Sequence, residues 1–268
     1  MESGQPVTQP TGIEPTGEPR IDGALRRLVD PDRDVRQAAA LDLGTIAAPA
    51  AAPALVARLG FEQDFFVRDT LSWALTRIPD AATPLLLKAL TETDTASRVQ
   101  VLHVLSKIAD PATTKAIAAL TADTDSAVAS KARWALTRIG DPTVVPALAV
   151  HLGTGDSTNQ NDLTRDLASF GAAAVPTLIT GLVDGDAHVR SHAAEVLCFM
   201  GPRAEGAIEA LAGALQDAAD EVRLSAAMAL YEVGTPEARA VLSLHTEAND
   251  PRLRAVARRS HSRSAGKS

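Results

Sequence analysis

One short pattern returns about every 31 residues along most of this chain, and a fixed period of that length constrains the fold more than any single residue does. Val35-Arg36 leads into Ala38-Ala39-Ala40-Leu41-Asp42-Leu43-Gly44. Val67-Arg68 runs on to Leu75, Val189-Arg190 to Leu197, and Val222-Arg223 to Leu230. A unit of this size cannot bury its apolar face alone, so units stack and the array extends without a central core. The result is a solenoid, whose long surface suits the holding of a partner.

Composition supports helices. Of the 268 residues, 46% are apolar but only 3% are aromatic, so the apolar share is mostly Ala, Leu and Val. Small contact residues favour closely packed helices over a β-rich core. The net charge of −7 argues against a dedicated nucleic-acid binder, whose affinity rests on neutralised phosphates. Arg252, Arg254, Arg258, Arg259, Arg263 and Lys267 crowd the last segment, so the rest of the array is more acidic than the mean. That tail reads either as a solvated, fraying terminus or as a contact for an acidic partner.

Cys198 is the only cysteine, so no internal disulfide is expected. The opening residues lack the basic and apolar regions of a signal peptide. The Ala-rich stretch from Ile46 to Phe61 contains Pro49, Pro53 and Arg58 and is too short to span a bilayer. These features predict no membrane association and a cytoplasmic location.

Residues 1–19 are rich in Pro, Thr, Gly and Glu and are expected to be disordered. Repeats are expected over residues 20–249, with a frayed last repeat and basic tail over 250–268. The apolar position that closes each unit reads Ile46, Ile78, Ile108, Ile139, Phe170, Met200 and Val233. Each unit reads as two helices. Pro53, Pro84, Pro146 and Pro176 are expected in the opening turn of the first, where the missing N–H costs nothing. Leu55 and Leu59, Leu178 and Leu182, and Leu211 and Leu215 then recur at helical spacing. An Asp stands four residues before the Arg position: Asp32, Asp64, Asp94, Asp125, Asp156, Asp186 and Asp250. Asp there can cap the second helix and favours its positive end.

The order Asp, then Val-Arg, then Ala-Ala-x-x-Leu-Gly-x-Ile resembles HEAT repeats, in the short bacterial form named after phycobilisome lyases. The resemblance runs from about Arg20 to the tail. It implies an all-α, right-handed α-solenoid of about seven to eight HEAT-like helix-pair repeats. It also implies that the Asp and Arg columns form a ladder through the stack. Arg36, Arg68, Arg98, Arg190, Arg223 and Arg254 fill the Arg column, while Ala129 and Gln160 break it. The fifth unit departs further: Asn159 replaces the Val, and Gly153 to Asp162 is polar and turn-prone. It reads as a hinge or as an ordinary divergent repeat with a longer loop.

Both tryptophans lie in two nearly identical segments, Ser72-Trp73-Ala74-Leu75-Thr76-Arg77-Ile78 and Arg133-Trp134-Ala135-Leu136-Thr137-Arg138-Ile139. In the first of these helices Val67, Leu71, Leu75 and Ile78 form the buried columns, so Trp73 faces elsewhere. Its face reads Asp69–Trp73–Arg77, then Val99–His103–Lys107, then Ser130–Trp134–Arg138, then Asn161–Arg165–Ser169. In HEAT proteins second helices usually line the concave side. With helices roughly 10 Å apart, Trp73, His103 and Trp134 would form one row and Arg77, Lys107 and Arg138 a parallel basic row. Two readings stand. The row is a recognition site, with aromatic anchors and orienting cations, or each Trp packs along its neighbouring helix.

His188 and His192 are four apart and could both reach one metal, but no HExxH accompanies them and no metal is expected. Among HEAT-like enzymes, deoxyhypusine hydroxylases use repeated His-Glu pairs. The matching positions here read Gln37-Ala38, Asp69-Thr70, Ser130-Lys131, Ser191-His192 and Leu224-Ser225. No cofactor is therefore expected. HEAT-like DNA glycosylases place Trp, Asp and Arg in a basic concavity, which Trp73, Trp134, Asp69 and Arg138 resemble loosely.

The sequence thus points to a non-catalytic scaffold holding a protein or peptide partner, with acidic or carboxylate groups, on its concave face. Its binding residues would be Asp69, Trp73, Arg77, His103, Lys107, Trp134, Arg138 and Arg165. The alternative is an enzyme or nucleic-acid-handling protein, lyase-like or glycosylase-like, working through the same Trp/Arg/Asp patch.

Overall fold

Seven aspartates set the pace of the structure, a computed structural model described over residues 15–92 and 94–265. The carboxylates of Asp32, Asp64, Asp94, Asp125, Asp156, Asp186 and Asp250 each accept a backbone N–H two or three residues ahead. Each therefore opens a helix as the sequence predicts. The helical N–H groups hold the carboxyls of Asp64, Asp94 and Asp250 below the usual range. The disorder expected for residues 1–19 falls almost wholly outside the described residues.

The chain forms two units, residues 1–139 and 140–268. Described residues of the first hold α1 Pro19–Arg27, α2 Arg33–Ile46, α3 Ala52–Phe61, α4 Phe65–Thr76, α5 Pro79–Glu92, α6 Thr95–Ile108, α7 Thr114–Ala118 and α8 Ser126–Ile139. Those of the second hold α9 Val145–Ala149, α10 Ser157–Ser169, α11 Val175–Gly181, α12 Ala187–Met200, α13 Ile208–Ala214, α14 Asp220–Val233, α15 Pro236–Ser243 and α16 Pro251–Ala265. The fold class is all-α.

Each unit is a two-layer stack. In the first, α2, α4, α6 and α8 pack side by side, and α1, α3, α5 and α7 each pack on the helix that follows. In the second, α10, α12, α14 and α16 form the corresponding row, each paired with the helix before it. Small residues let the second helices approach closely: Ala39, Ala40, Ala74, Ala132, Ala135, Ala193, Ala194, Ala226 and Ala227 are all buried. Val67, Leu71 and Leu75 are buried with them, as their spacing predicts.

Two expectations need correction. Pro53, Pro146 and Pro176 occupy the opening turns of α3, α9 and α11, but Pro84 lies inside α5. There the preceding turn, which is a separate 3-10 segment in neighbouring repeats, is continuous with the helix from Pro79 onward. The segment expected to fray is also different. Residues 251–265 form one helix, seated by buried Leu253, Ala257 and Ser260.

The ladder exists, with different carboxylates. Arg36 donates from Nε and Nη2 to Glu62 at 2.8 and 3.0 Å, and from Nη1 to the carbonyls of Asp30 and Pro31. Arg190 repeats this on Asp217 at 2.7 and 2.9 Å and on the carbonyls of Asp184 and Gly185. Arg98 donates from Nη2 to Asp123 and from Nε to the Leu90 carbonyl. The acids Glu62, Asp123 and Asp217 come from a second column, six residues before the Arg position of the following repeat, while Arg223 pairs with Asp220 of its own helix and approaches the capping Asp250 at 4.0 Å. Arg36, Arg98 and Arg190 thus pin their own loops to the loop of the following repeat, whereas Arg68 bonds only carbonyls of its own loop.

Candidate functional site

Within the first unit, α4, α6 and α8 bring most of the expected site residues onto one face. His103 of α6 stacks on Trp134 of α8, with ring centroids 5.7 Å apart and planes 13° from parallel. Lys131, one turn before Trp134, places its ammonium 3.5 Å from the centroid of that ring and 3.4 Å from Nδ1 of His103. The Arg138 guanidinium lies 5.4 Å from the same ring. Lys107 forms an ion pair with Asp69 at 2.8 Å, tying α6 to α4.

This is a cluster of like charges around one aromatic. Burial pushes the His103 imidazole below its ordinary value, and Lys131 and Lys107 push it the same way. Burial also lowers the Lys131 ammonium, aided by Arg138 and Lys107. Asp69, the carboxylate of the group, is already held by Lys107. A π face stabilises cations without neutralising them. The site therefore keeps a positive potential in a chain that is acidic overall.

Beside the cluster lies an open cavity of about 270 Å³ between α4, α6 and α8. Arg68, Asp69, Ser72, Gln100, His103 and Lys131 supply its polar wall, and Phe65 supplies an apolar one. Phe65 and Phe66 meet edge to face at 5.6 Å and are 66% and 58% exposed, so two aromatics stand in solvent at the cavity mouth.

The expected row of three aromatics is not continuous. The Trp73 ring lies over α2: a methyl group placed on Gly44 would fall 2.3 Å from its Cζ3 and 2.9 Å from the Ala74 Cα. Trp73 is 37% exposed and packs on the preceding repeat, while Trp134 and His103 form the stacked pair. Arg77 is exposed at the end of α4 and, among the described residues, makes no ion pair. Arg165 belongs to the second unit, where it bonds Asp162 and the Asn161 carbonyl on its own helix.

Sequence reasoning missed Lys131, Arg68, Gln100 and the Phe65–Phe66 pair. One signal was present. Elsewhere the two positions after the capping Asp read Arg33-Asp34, Thr95-Ala96, Ser126-Ala127, Ser157-Thr158, Ala187-His188 and Pro251-Arg252, so Phe65-Phe66 places large apolar rings where the other repeats carry small or polar residues.

His188 and His192 do not converge on a ligand. His188 is exposed, and its backbone N–H meets the Asp186 cap. His192 is buried. The Gly153 N–H donates to its Nδ1 at 3.0 Å, which leaves the proton on Nε2, facing Thr164 Oγ1 at 2.9 Å and the Gln160 carbonyl at 3.2 Å. Burial holds this imidazole below its ordinary pKa. It fastens the loop of the divergent fifth repeat to α12. Among the described residues no group of three or more His, Cys, Asp or Glu side chains could hold a metal ion. Nor is any described helix long and apolar enough to cross a membrane.

The profile of HEAT repeats matches residues 21–99, 83–168 and 175–261, and the chain belongs to that family. No curated protein matches it in sequence. Among solved structures, Kap121p aligns with a TM-score of 0.52 at 15% identity, over 90% of this chain and 33% of that one. Kap95p, in a structure describing its binding to RanGDP, aligns with a TM-score of 0.53 at 12% identity, over 88% of this chain and 39% of that one. These likenesses show the fold. Human deoxyhypusine hydroxylase aligns over 90% of this chain and 94% of its own at 21% identity, with a TM-score of 0.38.

Proposed function

We propose that this HEAT-repeat chain is a non-catalytic scaffold that binds an acidic segment of a protein or peptide partner on the α4–α6–α8 face of its first unit. The observation that carries the reading is the gathering of Lys131, His103 and Arg138 about Trp134, with exposed Phe65 and Phe66 alongside. Cations held together at an aromatic repel one another, and an anionic partner relieves that repulsion. Exposed aromatics supply apolar area, and the cations orient the acidic groups. The two groups of features occur together in the first unit.

In this reading Trp134, His103, Lys107 and Arg138 touch the partner, and Asp69 positions Lys107. Trp73 contributes its exposed edge, and Arg77 its free guanidinium. Arg165 is assigned a local role in α10. No cofactor takes part, and the protein acts in the cytoplasm, a compartment that suits its single thiol, Cys198. Nucleic acid is disfavoured, since the cationic patch is small within a chain of net charge −7.

The test is a panel of acidic and neutral peptides titrated against the full chain and against Trp134→Ala. Acidic peptides should bind, with an affinity that falls as salt rises, and Trp134→Ala should cost roughly 2 kcal/mol of that binding. Binding that ignores both peptide charge and Trp134 would remove this face as the site. Turnover of a bound substrate would favour the enzyme alternative.

A further inference from the structure

The cavity beside Trp134 has more positive charge than one carboxylate can satisfy. Lys131 has no carboxylate partner among the described residues: its ammonium meets only the Trp134 ring and the His103 imidazole. Arg68 uses Nη1 on the carbonyls of Glu62 and Gln63 and, among the described residues, makes no ion pair. His103 can take up a proton on a ring nitrogen. Gln100 adds an amide that donates or accepts. The Asp69 carboxylate also lines the space, and its ion pair with Lys107 offsets its charge.

Two permanent cations and one protonatable imidazole therefore face an open space of about 270 Å³. A carboxylate brings one charge on two oxygens. A phosphoryl ester brings about 1.5 to 2 negative charges on three strongly accepting oxygens, which matches the donors in number and in charge. The space is larger than either head group and continues to Phe65, so the anion enters attached to a longer body.

We infer that the cavity between α4, α6 and α8 is a phosphomonoester site, which takes a phosphorylated side chain of the partner with Lys131, Arg68 and His103 around the phosphoryl oxygens and Phe65 against the adjoining apolar group. The inference rests on the proposed binding face and names the chemistry that this face selects. No bond is made or broken.

Phenyl phosphate and benzoate test it, because they share a ring and differ in head group. At pH 7.5 phenyl phosphate is a dianion. Titrated against the full chain with histidine-labelled NMR, phenyl phosphate should bind at least about tenfold more tightly than benzoate. It should perturb the His103 ring and raise the pH at which that ring titrates. Inorganic phosphate, which lacks the apolar body, should bind at least about tenfold more weakly than phenyl phosphate. Lys131→Met keeps the stem that covers Trp134 and should lose at least about tenfold in phenyl phosphate affinity, while Lys115→Met on exposed α7 should lose nothing.

Equal affinity for benzoate and phenyl phosphate would overturn the phosphoryl assignment and leave the acidic-partner reading standing. Equal affinity for inorganic phosphate would make this a free-anion site and overturn the side-chain assignment. Full binding by Lys131→Met would place the anion elsewhere. Failure of every acidic peptide on this face would remove the inference together with the reading on which it rests.

Discussion

Lys131 of the first unit and His192 of the second stand at the same position of the repeat, two residues after the Arg column, and have opposite surroundings. His192 is 2% exposed, with both ring nitrogens engaged by Gly153, Thr164 and Gln160. Lys131 is half-buried beside a cavity and meets an aromatic face and a second basic group. The two units share a stacking plan, yet the second spends this column on holding itself together and the first leaves it available. A repeat unit can carry a binding residue where its packing is complete without one. In the first unit Lys107–Asp69 and Arg36–Glu62 already tie neighbouring repeats, so Lys131 is not needed for that.

The ladder offers the largest test. Glu62 is the most heavily committed acid of the first unit: Arg36 and Arg58 both bond it, and its side chain is 1% exposed. Burial alone would raise its carboxyl. The Arg36 guanidinium, the Asp64 N–H and Arg58 overcome that and hold it down to about 2. Glu62→Gln leaves two guanidinium groups short of a counter-charge and should cost roughly 3–5 kcal/mol in a urea melt. Asp217→Asn releases one bidentate arginine and should cost less, about 1–3 kcal/mol. Equal losses would mean that the second arginine on Glu62 adds nothing. The pH sign is the same in both units, but the windows differ. The Glu62 contribution is present above its ordinary value of 4.5 and is lost as pH falls toward about 2. The His192 contribution is present above 6.5 and declines as pH falls below that, because the buried ring must charge.

The second test sets His192 against Lys131 directly. His192→Ala strands the Gly153 N–H and opens a void, at a cost of about 1–3 kcal/mol. Lys131→Met should alter stability by no more than about 0.5 kcal/mol and abolish most acidic-partner affinity. Should Lys131→Met unfold the first unit as readily as His192→Ala unfolds the second, the contrast between a free and a committed column is wrong.

Much of the fold was legible in the sequence because it is written once per repeat. Asp caps, the apolar columns and the helix pairs each recur, so chance matches cancel and true ones reinforce. The ladder was half legible. The arginines were plain, but their partners Glu62, Asp123 and Asp217 lie in the following repeat, six residues before its Arg position, rather than in the nearer capping column. The site was less legible for a different reason. Helix periodicity gives the face a residue occupies but not the direction its side chain leans. Trp73 and Trp134 share one column, yet the first rests on Gly44 and the second on His103. Lys131 lies one column away and reaches Trp134 because its stem is long.

That divergence between the tryptophans gives a third test, smaller in stability. Gly44→Ala must displace the Trp73 ring or the Ala74 backbone and should cost about 1–3 kcal/mol without touching partner affinity. Trp134→Ala should cost about 1 kcal/mol of stability, the stacking with His103, and most of the binding. If Gly44→Ala weakened binding as much as Trp134→Ala, the two rings would be one functional row after all.

The smallest expected effect lies at the helix ends, where the units again differ. The residue after each closing apolar position reads Ala47, Pro79 and Ala109 in the first unit, and Gly140, Gly171, Gly201 and Gly234 in the second. All four glycines have positive φ, and so do Ala47 at 53° and Ala109 at 55°. In both alanines the N–H still closes the helix on the carbonyl four residues back, Leu43 and Leu105. The first unit thus holds a Cβ in the left-handed region twice, at roughly 1–2 kcal/mol each. Glycine removes that strain but gives back part of it through the greater freedom of the unfolded chain, about 0.5–1 kcal/mol. Ala47→Gly and Ala109→Gly should therefore each stabilise the first unit by up to about 1 kcal/mol. Gly234→Ala should destabilise the second by a similar amount, since a methyl there meets only the Tyr231 and Glu232 carbonyls at 3.5 and 3.7 Å and adds strain without a clash. Hydrogen exchange resolves such changes unit by unit. Destabilisation by either glycine would show that the alanine methyls pack usefully on their loops, and that the units close their helices by different means.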